Sequence, residues 1–151
     1  MKVAFACDHG GFPLRDAVTE RIKALGHEVL DFGVFDDKSV DYPDFASKAA
    51  RAVQQGRAAR AVIICGSGVG ACVTANKYKG VRASVAHDLY SAAQGVEHDN
   101  MNALCLGGRI VNAEQARALV KVFLEASFNT KEPRYSRRLG KVSAIEDSNF
   151  K

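Results

Sequence analysis

The chain has 151 residues, 47% hydrophobic and 25% charged, the composition of an ordinary globular protein with room for a full core. No apolar run nears the ~18 residues of a membrane helix, and the apolar part of MKVAFACDHGG is too short for a secretory signal, so one soluble cytoplasmic domain over residues 1–151 is expected. The formal charge of +4 is uneven: residues 131–151 hold six basic and three acidic side chains, and five of those bases lie between Lys131 and Lys141.

The predicted elements follow in order. Lys2–Cys7 (KVAFAC) is a β-rich run and predicts a first strand. Pro13 opens a helical pattern with Leu14, Val18, Ile22 and Leu25 on one face, and Gly26 stops it. Glu28–Gly33 alternates and predicts a second strand; Pro43 starts a second helix that Gly56 ends. Ala61–Cys65 is continuously apolar, as a strand buried on both faces should be. A helix over Val69–Lys77 and a fourth strand over Val81–Ala86 follow. Asp88 then caps a helix to Gly95, Ala103–Leu106 makes a fifth strand, and Asn112 caps a long helix to about Phe128. A basic tail comes next, with a last helix over Lys141–Asp147.

Strand and helix alternate five times, which calls for an α/β fold: a Rossmann-like parallel sheet with helices on both faces. Ligands of such sheets bind outside the carboxyl ends of the strands. The residues placed there are Asp8, His9, Gly10 and Gly11; Gly66, Ser67, Gly68 and Gly70; His87 and Asp88; and Gly107, Gly108 and Arg109. His27 lies far from that edge and reads as a surface residue.

The stretch AVIICGSGVGACVTANK (Ala61–Lys77) sets a thiol at the mouth of a glycine loop, just before a helix. Gly66 to Ala71 fits the dinucleotide pattern G-x-G-x-x-[G/A], with Asp88 near the expected distance downstream. Against that, the loop follows the third strand of five and leaves little chain for a substrate domain. A cysteine-phosphatase loop needs arginine at position 71, where this chain has Ala71. The third reading is an activated thiol. The helix N-terminus favours thiolate at Cys65, and the glycine amides can cradle an oxyanion, a pairing suited to proton removal beside a carbonyl. A tight turn beside a buried cysteine is the fourth. Cys7, Cys72 and Cys105 complete the cysteines; no C-x-x-C or zinc-like spacing occurs, and Cys72 and Cys105 read as small core residues. The basic tail points to an anionic partner. Without interleaved aromatic residues it favours a small phosphorylated ligand over nucleic acid.

The blocks CDHGG (Cys7–Gly11), VDYPDFA (Val40–Ala46), ICGSGVG (Ile64–Gly70), ANK (Ala75–Lys77), EHDN (Glu97–Asn100) and LGGRIV (Leu106–Val111), with Arg134 and Arg138, carry a resemblance. Over essentially its whole length the chain resembles the ribose-5-phosphate isomerase B family, which also contains galactose-6-phosphate isomerase subunits. The resemblance implies a three-layer α/β/α sandwich around a five-stranded parallel sheet. It also implies homodimers or homotetramers whose active sites are built from two subunits, with no membrane partner.

The implied reaction is aldose–ketose isomerisation of a phosphorylated sugar, without metal or cofactor. By the same likeness His98 opens the sugar ring, and Cys65 is the base that carries a proton between C2 and C1 through a cis-enediolate. Ser67 and the amides of Gly66, Gly68 and Gly70 hold the enediolate oxygens. Asp8 and Tyr42 contact sugar hydroxyls or the ring oxygen, and His9, Arg109, Arg134 and Arg138 grip the phosphate. Part of the family uses a glutamate early in the following helix instead of the cysteine; Ala71 stands there, which leaves Cys65 as the base. Three departures bear on the choice of sugar. Ser67 stands where threonine is common, Asp99 precedes Asn100 where an amide usually follows the histidine, and EPRYSRR replaces a tail richer in glycine. Ribose 5-phosphate is the leading substrate, tetrose and hexose phosphates are the alternatives, and a non-catalytic nucleotide- or phosphate-binding module is the reading from another class.

Overall fold

Strands β1 (Lys2–Cys7), β2 (Glu28–Asp31), β3 (Arg60–Cys65), β4 (Ala83–Val85) and β5 (Ala103–Gly107) form one parallel sheet, ordered β2-β1-β3-β5-β4, in the computed structural model, which describes residues 1–150. The helices are α1 (Arg15–Ala24), α2 (Tyr42–Gln54), α3 (Val69–Ala75), α4 (Leu89–Asp99), α5 (Ala113–Glu125) and α6 (Pro133–Asn149). A short 3-10 turn, Phe12–Leu14, leads into α1. Helices α1, α4 and α5 pack together over one face of the sheet, α2 and α3 over the other. The expected three-layer α/β/α arrangement is therefore the observed one. No helix among the described residues is long and apolar enough to cross a membrane.

The two faces differ because the strands alternate large and small side chains. Val3, Phe5, Val62, Ile64, Leu104 and Leu106 point toward α1, α4 and α5, where they meet Val18, Ile22, Leu119 and Phe123. The intervening residues, Ala4, Ala6, Ala61, Ile63, Cys65, Ala103 and Cys105, point toward α2 and α3. There Ala46, Ala49, Ala50, Ala71 and Ala75 answer them. Small side chains on both partners let these two helices lie close to the sheet, since interiors tolerate few voids. Cys65 thus begins its role as part of a tight alanine layer at the carboxyl end of β3.

After β1 the chain crosses to β2 at one edge, then returns to place β3 on the opposite side of β1. This reversal opens a crevice between the ends of β1 and β3, the place where doubly wound sheets bind ligands. The segment after β2 is tied to α1 by Arg15, a buried cation that bonds Asp31 through both carboxylate oxygens and Val34 O at 3.0 Å. Asp31 Oδ1 also accepts the Gly33 N–H at 2.9 Å. Asp31→Ala strands the guanidinium with one partner, so the expected cost is about 2 kcal/mol, less than for a fully buried pair because Asp31 is partly solvated. Urea unfolding of the two proteins checks this; a change below about 0.5 kcal/mol means water replaces the carboxylate.

The two largest boundary differences from expectation fall in α4 and the tail. Gly95 does not end α4. Met101 packs against the bare face of Gly95, and the helix runs on to Asp99, where Asn100 turns it at φ 52°. The basic tail is not an extended segment before a short helix, because α6 starts at Pro133. Proline suits the first turn of a helix, and Tyr135, buried against α4, anchors it. The capping roles expected of Asp88 and Asn112 are both present, Asp88 accepting from Ser91 N–H and Asn112 forming a reciprocal pair with Gln115.

Candidate active site

Three loops meet at the carboxyl ends of β1, β3 and β5. Gly108 N–H donates to Cys65 O at 2.7 Å, and Arg109 N–H to Gly66 O at 3.1 Å. The first loop is shaped by Asp8, which is buried and whose Oδ1 accepts from the N–H groups of Gly10 and Gly11 at 2.8 and 3.1 Å. Its Oδ2 takes no hydrogen bond among the described residues. His9 Nδ1 accepts the Val40 N–H at 3.2 Å, so the ring proton sits on Nε2.

The second loop carries the thiol. Gly68 holds φ +84° as the residue before α3, a left-handed conformation that costs glycine little. That turn directs the Gly68 N–H onto Cys65 Sγ at 3.2 Å, a donor suited to negative charge on sulfur. The N–H groups of Gly66 and Ser67 meet no protein acceptor among the described residues. Ser67 Oγ accepts from Val69 N–H at 3.3 Å and keeps its own proton to donate. Tyr42, in the first turn of α2, lays its ring over Gly70; an added Cβ there would stand 2.7 Å from the ring.

These loops enclose a cavity of about 380 Å³. Asp8, His9, Tyr42, Cys65, Gly66, Ser67, Gly70 and Arg109 all line it, together with Gly10 and Ile110, which the motif reading did not single out as ligand contacts. The signal for both lay in the sequence, since each adjoins a strand end. The cavity therefore gathers a thiol, a hydroxyl and free amides with the Arg109 guanidinium, which lies against Gly66, and the Nε2–H of His9. This arrangement can hold an anion at one end of a small molecule and remove a proton at the other.

Gly68 departs from its expected role, because its amide is committed to Cys65 Sγ and does not line the cavity. His98, Asp99, Arg134 and Arg138 also lie outside it. His98 is half-buried at the end of α4, stacked on Tyr135 of α6 with ring centroids 4.0 Å apart, and its Nδ1 lies 2.8 Å from Gln94 Nε2. Arg134 is exposed beside Tyr135 and Glu132. Asp99 and Arg138 border a larger cavity of about 680 Å³ between β4, α4 and α6. Size does not make that cavity the reaction site, because the thiol and the glycine loop do not reach it.

His87, at the correct edge of the sheet, is engaged by the backbone. Its Nε2 accepts the Gly107 N–H at 2.9 Å, and burial holds it below the usual histidine range despite the opposing pull of Asp88. Cys72 is not a simple core residue. Its Sγ donates to Ala83 O at 3.4 Å and accepts from Asn76 Nδ2 at 3.5 Å, and the neighbouring Cys105 thiol is the main cause that brings it down to about 7, while that neighbour and burial push Cys105 up.

Comparison with known proteins finds relatives over nearly the whole chain. A family model described as Ribose/Galactose Isomerase matches residues 3–142. Ribose-5-phosphate isomerase B of Escherichia coli is 38% identical over 145 residues, covering 96% of each chain. D-erythrulose-4-phosphate isomerase 2 of Mycolicibacterium smegmatis is 41% identical over 132 residues, covering 85% of this chain and 87% of that protein. The structure of ribose-5-phosphate isomerase B from Clostridium thermocellum superposes with a TM-score of 0.93 at 40% identity, covering 98% of this chain and 99% of that one.

Proposed function

The chain belongs to the ribose/galactose isomerase family and is a sugar-phosphate isomerase; from that premise we propose that it interconverts ribose 5-phosphate and ribulose 5-phosphate, with Cys65 as the base. Membership sets aside the dinucleotide fold and the non-catalytic binding module. The observation that carries the proposal is one cavity lined by Cys65, Ser67 and two unengaged amides together with His9 and Arg109. The whole of residues 1–151 acts as one domain in this reading.

The steps follow from the residues. Arg109 and the Nε2–H of His9 hold the phosphate; arginine suits this because its planar fork binds two oxygens at once. Asp8 and Tyr42 meet the sugar hydroxyls. Cys65 thiolate takes the proton from C2, and the electrons of that bond form the enediolate. The Ser67 hydroxyl and the amides of Gly66 and Ser67 hold its oxygens. The proton of the C2 hydroxyl passes to O1, the thiol returns its proton to C1 as the carbonyl forms at C2, and no group ends the cycle changed.

The ring-opening group and the remaining phosphate cations come from a second copy of the chain. In its own subunit none of His98, Asp99, Arg134 or Arg138 reaches the cavity. Exposed Val69 and Val73 on α3, with Ile110 beside the cavity, give a second copy apolar surface to cover. A homodimer, or a homotetramer made from such dimers, completes the site.

Turnover of ribose 5-phosphate in chelator-treated buffer, beside tetrose and hexose phosphates, tests the substrate. Conversion of ribose 5-phosphate at the highest kcat/KM is expected. A higher kcat/KM for a tetrose or hexose phosphate would overturn the assignment and make Ser67, Asp99 and the EPRYSRR segment the determinants of substrate length.

A further inference from the structure

His98 is gripped on two sides. The ring of Tyr135, itself buried, covers one face at 4.0 Å with the planes 21° apart. Gln94, one turn earlier on α4, brings its amide nitrogen to 2.8 Å from Nδ1. An amide NH₂ only donates, so Nδ1 accepts and the ring proton rests on Nε2. Nε2 takes no protein partner among the described residues.

We propose that Gln94 is a positioning residue for ring opening: its amide occupies Nδ1 of His98 and so leaves Nε2 as the one nitrogen that meets the sugar. This rests on the reading of His98 as the ring-opening group. Before that step the ring changes tautomer, Nε2 releasing its proton to solvent while Nδ1 takes one from solvent; bare Nε2 then accepts the proton of the anomeric hydroxyl, the bond from C1 to the ring oxygen breaks as the carbonyl forms, and Nε2–H returns the proton to the ring oxygen. While Nε2 takes and returns that proton, Nδ1 must carry its own hydrogen. Glutamine serves both states because its amide has a donor end and an acceptor end. Turned about its last torsion, it presents Oε1 to Nδ1–H. An apolar residue at position 94 serves neither state, and the ring is then held by stacking alone.

The test separates ring opening from proton transfer at carbon. Ribose 5-phosphate is supplied largely as a closed ring. Ribulose 5-phosphate cannot close a five-membered ring, because its terminal oxygen carries the phosphate. Its exchange of the C1 hydrogen with heavy water needs Cys65 but no ring opening. For Gln94→Met, near in size and without polar atoms, the expected result is about a ten-fold fall in kcat on ribose 5-phosphate, part of the ~10²–10⁴-fold that a positioned acid–base group provides. Deuterium uptake into ribulose 5-phosphate should stay within about two-fold of wild type, since the carbon-acid step does not involve position 94. Equal falls in both rates would mark Gln94 as structural, and no fall in either would remove its role.

Nitrogen-15 NMR of the histidine rings gives a readout independent of turnover. Wild type should show His98 as one tautomer with the proton on Nε2, and Gln94→Met should show an averaged pair; identical spectra overturn the proposal. A wild-type enzyme silent on both sugars would instead refute the ribose 5-phosphate reading, and the NMR comparison would still decide whether Gln94 sets the tautomer.

Discussion

Cys65→Ala lowers turnover by about 10³-fold, the scale of a positioned general base, while ribose 5-phosphate binds within a few-fold of wild type. The two effects separate because the proposed phosphate grip rests on Arg109 and His9, neither of which is hydrogen-bonded to the thiol. The thiol is also hard to replace. Cys65→Ser keeps a hydroxyl of similar size, but serine does not ionise at neutral pH, so its loss should match that of alanine. The Gly68 amide that now donates to sulfur would face a hydroxyl and gain no charge to stabilise. Calorimetric titration beside steady-state kinetics reads both quantities. Activity within ten-fold of wild type for either variant would end the role of Cys65 as base. Loss of binding together with turnover would mean that the alanine layer under α2 and α3 had shifted.

Two inactive variants restore activity when they share a dimer. Cys65→Ala and His98→Asn should each fall by about 10²-fold or more as homomers, since each removes an acid–base group. Co-expressed with different tags and purified through both, the mixed dimer has one site with neither substitution and one with both. Its expected turnover is about half that of wild type per dimer, because a two-fold assembly repeats its site twice. The reason lies in the position of His98, whose ring is locked against Tyr135 at the end of α4 and does not line the cavity of Cys65. A mixed dimer as inactive as its parents would show that no site takes Cys65 and His98 from different copies.

The sequence by itself determined the layers and the edge that binds. Strand and helix signals are local: an apolar run such as Ala61–Cys65 buries on both faces wherever it is placed, and Asp88 and Asn112 cap because their side chains reach amides only three residues on. The strand ends then fall on one edge by the handedness of parallel crossovers, so Asp8, His9, Cys65, Ser67 and Arg109 were legible as neighbours. Where local signals were overruled, side-chain packing did it. Gly95 reads as a stop, but Met101 fills the space beside it and the helix continues to the residues flanking His98. The tail reads as a basic segment before a helix from Lys141, but Tyr135 finds the ring of His98 and the segment winds into α6 from Pro133. Only the tertiary structure decided which candidate residues share a cavity. Motif order is the same whether His98 and Arg134 face their own Cys65 or a neighbour's, and the choice rests on packing between segments far apart in the chain, which no local pattern encodes.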